Sequence, residues 1–211
     1  MNDLVIRGAL IVDGSGSEPA TGDVAVLDGV ISAVGKHGLT GTQLVDGSGL
    51  VLAPGIVDIH THYDAQLTWD ASASPSPQMG VTTVVVGNCG FGLAPCHPDH
   101  RDLTLKNLTK VEGMPLDALL NGVLWEFETF TDYLDMLVAR GVVLNVAALA
   151  NHSCIRTYVM GIDASQRRAT PAEIKAIGDL LRDAMDAGAI GLGTSTLESH
   201  NGEGEIGRAH V

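Results

Sequence analysis

The chain has 211 residues, with 12 Lys and Arg against 25 Asp and Glu, and so a net charge of −13 at pH 7. An acidic chain with no basic run cannot neutralise a phosphate backbone or an anionic membrane surface, so neither nucleic acid nor membrane is an expected partner. Its 45% apolar residues place it among globular proteins, and 26 glycines against 4% aromatics predict an aliphatic core with many tight turns.

Asp3 and Arg7 interrupt the first apolar stretch, no small-residue cleavage site follows, and no apolar run reaches the ~18 residues of a membrane span. A cytoplasmic location is therefore expected. Three cysteines, Cys89, Cys96 and Cys154, are odd in number and widely spaced, which fits reduced thiols. Residues 4–6, 9–12, 24–27, 30–34 and 50–52 are β-branched or aliphatic runs, with Asp13-Gly14, Asp28-Gly29 and Asp46-Gly47 between them. Asp-Gly in that setting signals hairpins, so residues 1–53 read as a small antiparallel β unit.

From Pro54 the pattern changes. Nearly continuous apolar runs at residues 55–62, 81–87, 142–150 and 189–194 read as strands buried on both faces, as in parallel sheets. A helix over residues 171–187 is signalled by Thr170 and Glu173 as a capping box, Pro171 at the first turn and Gly188 beyond the end. A second, over residues 130–140, has Thr129 before it and Gly141 behind. Strand and helix in alternation mean a parallel α/β fold. Residues 54–204 hold about four βα units of ~30 residues, half of a (β/α)₈ barrel, which needs roughly 250. An open dinucleotide-binding sheet is the alternative, but no Gly-x-Gly-x-x-Gly follows any strand. Residues 205–211 resemble the translation of a sequencing adapter; they are expected to be a non-native tail beyond which the natural protein continues, and His210 is left out of the site.

The first barrel strand ends Asp58-Ile59-His60-Thr61-His62. Side chains two apart on a strand share a face, so both imidazoles are expected together at its C-terminal end, where parallel barrels keep their active sites. Two neutral imidazoles in that place, ahead of an acidic loop containing Asp64, suit zinc better than a structural role. The second strand opens at Gly87-Asn88-Cys89-Gly90, and a thiolate at Cys89 could ligate or bridge the same metal. Cys96 and Cys154 read instead as small buried hydrophobes. His152 is expected at the end of the third strand on the same face, as a substrate contact or a structural histidine. Trp125, Phe127 and Phe130 read as packing anchors, and Glu126 and Glu128 as a solvated face.

The stretch from Pro54 to His62 and Gln66, followed by Gly80 through Gly87-Asn88-Cys89-Gly90-Phe91-Gly92, resembles the D-aminoacylase (N-acyl-D-amino-acid deacylase) branch of the amidohydrolase superfamily. Residues 111–115, 125–134 and 146–149 are similar to that branch as well. The resemblance implies a small β-sandwich followed by a (β/α)₈ barrel holding one or two zinc ions, and hydrolysis of the amide of an N-acyl-D-amino acid. It implies that His60 and His62 help hold one metal and that Cys89 bridges to a second. Two further histidines and an acid–base aspartate would lie beyond Gly204. A glycine commonly precedes the histidine matching His152, and here Asn151 stands instead. Hydantoinases and dihydroorotases share the layout but commonly bridge their metals with a carboxylated lysine near the end of strand four; residues 189–195 contain no lysine. The other expectation carried forward is that the 211 residues by themselves are an incomplete, non-catalytic fold.

Overall fold

The computed structural model describes residues 1–197 and His200, apart from the side chains of residues 110–112. The expected tail at residues 205–211 lies outside the described residues. Two compact units divide between Gly55 and Ile56.

The first unit is one five-stranded sheet: β1 (Asn2–Ile11), β2 (Ala20–Leu27), β3 (Val30–Lys36), β4 (Gly41–Asp46) and β5 (Val51–Leu52), in the order β3-β2-β1-β4, with β5 also on β1. The expectation of an antiparallel β unit is corrected here, because β4 and β5 both run parallel to β1. Only Asp28-Gly29 closes a two-residue hairpin. Both residues have positive φ, 52° and 74°, as the turn that matches strand twist requires. Asp23, buried in β2, accepts the amides of Gly8 (3.1 Å) and Leu39 (3.2 Å). Burial pushes its carboxyl up, but those amides and that of Gly38 outweigh it and hold it below the usual carboxylate range.

The second unit lays its parallel strands side by side in chain order. β6 (Ile56–Asp58) pairs with β7 (Val81–Val86), and β7 with β8 (Asn145–Ala148). Across Leu149, whose amide donates to Val86 O, the chain enters β9 (Ala150–Asn151), which pairs with β10 (Leu192–Gly193). Parallel neighbours in sequence order are how a (β/α)₈ barrel begins. The strands are shorter than their apolar runs. β6 stops at Asp58, whose carboxylate accepts the amide of His60 at 3.2 Å, an Asx turn that competes with the ladder.

Among the described residues this unit holds five α-helices: α1 (Arg101–Glu112), α2 (Leu116–Gly122), α3 (Phe130–Arg140), α4 (His152–Met160) and α5 (Pro171–Asp186). Capping boxes open α3 at Thr129 and Asp132 and α5 at Thr170 and Glu173. The core includes Leu67, Val84, Leu105, Leu119 and Ile155, each fully buried side chain of this size contributing about 1.5–3 kcal/mol. It is less aliphatic than the composition suggests, because all three phenylalanines and Tyr133 are in it, with Phe127 and Tyr133 edge to face at 5.1 Å. Glu128 is not a solvated face: half-buried, it accepts the Tyr158 hydroxyl at 2.8 Å.

Candidate metal centre

Immediately past β6, Thr61 donates to Val85 O of β7 with both its amide (3.1 Å) and its hydroxyl (2.7 Å). Those two hydrogen bonds hold Thr61 inward, where it is buried, between His60, which is exposed, and His62, which is half-buried. The rings of His60 and His62 consequently lie 5.4 Å apart at 65°. They sit beyond the strand rather than on it, so it is Thr61 that preserves the alternation expected of a strand.

β7 delivers the third group. Gly87, with φ 84°, ends the strand, and the turn Asn88–Gly90 follows with Gly90 at φ 75°. Neither position tolerates a side chain: a Cβ on Gly87 would stand 2.5 Å from Leu149 O, and one on Gly90 2.8 Å from Gly193 O. Between them Cys89 itself takes φ 56°, ψ 6°, a left-handed conformation uncommon for a residue with a Cβ and concentrated at functional sites. Its Sγ comes to 3.5 Å from His60 Nε2.

Buried polar side chains hold this arrangement. The Asn88 amide donates to Thr61 O (3.2 Å) and Val85 O (2.9 Å), joining the two loops. Asp64, 1% exposed, accepts the Gly87 amide at 3.1 Å, and its own carbonyl accepts the Tyr133 hydroxyl at 3.0 Å. Burial, then the Asp64 charge, raises the Tyr133 phenol well above its ordinary range, so it stays a donor.

One ligand atom each from His60, His62 and Cys89 lies within 4.8 Å of the others, the one such group among the described residues. His60 is exposed, and His62 and Cys89 are half-buried. The donor set fits zinc: a tetrahedral ion bound at ~2.0–2.3 Å spaces its ligands by roughly 3.3–3.8 Å, and imidazole with thiolate selects zinc over the oxygen-seeking cations.

His152 is placed differently from expectation. It does not end the third strand but opens α4, with Nδ1 3.0 Å from Thr194 Oγ1, and it is not part of the three-residue group. Cys96 and Cys154 are buried as expected, and burial raises the Cys96 thiol. Sequence reading missed Asn88 and Asn151 as structural amides, although Asn88 lies inside the Gly-Asn-Cys-Gly stretch it had marked. His200, which it did not consider, bonds Ser195 Oγ through Nδ1 at 2.8 Å and packs edge-on to Phe91.

The chain belongs to the amidohydrolase family, whose model matches residues 43–203. Within it, the chain is similar to the D-aminoacylase of Alcaligenes xylosoxydans xylosoxydans, 41% identical over 92% of this chain and 38% of that protein. It is also similar to the N-acyl-D-aspartate deacylase of the same organism, 40% identical over 92% of this chain and 37% of the relative. Among solved structures it superimposes on D-aminoacylase, described with a binuclear metal centre, with TM-score 0.77 and 36% identity, covering 92% and 38% of the two chains. It also superimposes on the N-acyl-D-glutamate deacylase of Bordetella bronchiseptica, complexed with zinc and a phosphonate inhibitor, with TM-score 0.71, 34% identity and the same coverage. The fold is accordingly the N-terminal part of an amidohydrolase barrel, and the chain spans well under half the length of these relatives.

Proposed function

We propose that the protein is a zinc-dependent hydrolase of linear amide C–N bonds that deacylates N-acyl-D-amino acids. The observation that carries this reading is the convergence of His60, His62 and Cys89 at two consecutive strand ends, in a chain about 40% identical to enzymes named for that activity. In this reading residues 1–53 contribute to the β-sandwich and residues 54–204 are the first half of the barrel.

His60 and His62 would hold one metal, and Cys89 would bridge to a second. One or two zinc ions there supply Lewis acidity toward the amide carbonyl and a nucleophile at neutral pH. The residues of this chain supply geometry. Thr61 and Asn88 fix the spacing of the two ligand-bearing loops, and Asp64 holds the start of the Cys89 turn. His152, with Nδ1 bound to Thr194, stands as a substrate contact. A cytoplasmic location is part of this proposal; no helix among the described residues is long and apolar enough to cross a membrane.

The test is release of free amino acid from N-acetyl-D-aspartate, -glutamate and -methionine, their L enantiomers and a cyclic amide such as hydantoin. The 211-residue chain is assayed beside one extended to the length of its relatives. Turnover of D substrates by the extended chain, abolished by chelation and restored by zinc, is expected. Preference for the cyclic amide would overturn the reading in favour of a hydantoinase-like enzyme.

A further inference from the structure

We infer that Asn151 is a positioning residue for the Cys89 ligand, acting through the backbone of residues 87–91; the inference rests on the metal centre proposed above. Asn151 ends β9, which follows directly after β8, the neighbour of the strand that delivers Cys89, and is 3% exposed. With its amide nitrogen turned to the loop, it donates to Gly87 O at 3.2 Å and to Phe91 O at 2.8 Å. Those two carbonyls bracket the turn that carries Cys89. One side chain therefore pins both ends of a left-handed segment that would otherwise relax.

The amide has no room to drift. A Cβ on Gly92 would meet the amide's carbon and both of its terminal atoms at 2.5–2.6 Å, and one on Gly87 would meet the loop-facing nitrogen at 2.9 Å. On the far side, a Cβ on Gly193 would stand 2.1 Å from Gly87 O, so the carbonyl it grips is backed by β10. The glycines at 87 and 92 thus form a slot that fits one planar amide, and Gly193 lets β10 press against the Gly87 carbonyl. Asp64 and Ser153 add single bonds, to the Gly87 amide and the Gly90 carbonyl. Asn151 is the residue that spans the turn, and through it the third strand sets where the thiolate of the second strand points.

Cobalt(II) is the probe, because a thiolate bound to it gives a near-ultraviolet charge-transfer band that imidazoles do not. In the full-length protein that band is expected, and Cys89→Ser should remove it. Asn151→Asp keeps the shape but sets a carboxylate against two carbonyls. It is expected to weaken cobalt affinity 10- to 100-fold and to shift or diminish the band at saturating metal. Gly92→Ala, which leaves the asparagine but crowds its amide, should do the same. A band unchanged per bound cobalt in both variants, yet lost in Cys89→Ser, overturns the positioning role alone. Failure of both variants to fold also overturns it, since Asn151 would then be a pillar of the fold. No band in the unaltered protein overturns the metal centre and this inference with it.

Discussion

Cys89 Sγ stands 3.5 Å from Nε2 of His60, although 29 residues separate them. The distance is set by the pairing of β6 with β7, since His60 lies two residues past the end of β6 and Cys89 three past the end of β7. Soft and borderline donors from neighbouring strand ends make a metal site without any long-range rearrangement.

If Cys89 bridges, its removal takes away a strong ligand and a charge. Cys89→Ala and Cys89→Ser are expected to lose most activity and part of the bound metal, as read by elemental analysis of the full-length protein. Cys154→Ala, deep in α4, should leave metal content at its full value. Full zinc and undiminished turnover in Cys89→Ala would sink the bridging role.

His60 and His62 should behave as a pair. Either single alanine substitution is expected to cost nearly as much metal as the double, because groups acting as a unit are non-additive. Losses that simply add would count against shared ligation.

Legibility followed locality. α3 and α5 were visible to within a residue because their stop and start signals are local, Thr129 and Gly141 for one, Thr170, Pro171 and Glu173 for the other. β4 was missed because its partner is β1, paired in parallel between residues such as Asn2 and Gly41, which no hairpin signal marks. α4 was missed for a different reason. It contains Ile155, Thr157 and Val159, poor helix formers, has no side-chain cap, and is buried at Ser153, Cys154, Ile155, Arg156 and Thr157 in succession, so its burial runs along the chain instead of following one helical face. The three ligand candidates were legible from the strand-end rule, whereas the backbone of Cys89 and the amide of Asn151 that brackets it depend on contacts between separate loops.

The capping boxes give a stability test. Thr129→Ala and Thr170→Ala each remove an acceptor for a first-turn amide, at 3.1 Å and 3.3 Å. Each is expected to cost about 1 kcal/mol, seen as a lower urea midpoint at unchanged slope. A change below a few tenths for both would mean that the helix starts are held by packing instead.

Glu173 titrates well below its ordinary 4.5, first because Arg167 donates to it at 2.8 and 2.7 Å and next because of the Thr170 amide. A carboxylate depressed by folding contributes stability above about pH 4.5, and that contribution drains away as pH falls through the folded value. Glu173→Gln should therefore be less stable than the parent at pH 6–7, the two converging below pH 4. Added salt should narrow the gap, since the group lies at the surface. A gap that persists unchanged at pH 3 would show that charge plays no part.

Thr61 carries a consequence for how the centre assembles. A strand read out of step by one residue exchanges its faces. In such a slip the Thr61 hydroxyl would turn to solvent, and both imidazoles would swing toward the aliphatic interior around Val84 and Val86. Correct alignment of β6 on β7 and a usable trio of ligands are thus a single event, and a bound ion would act as a latch that recognises only the properly aligned pair.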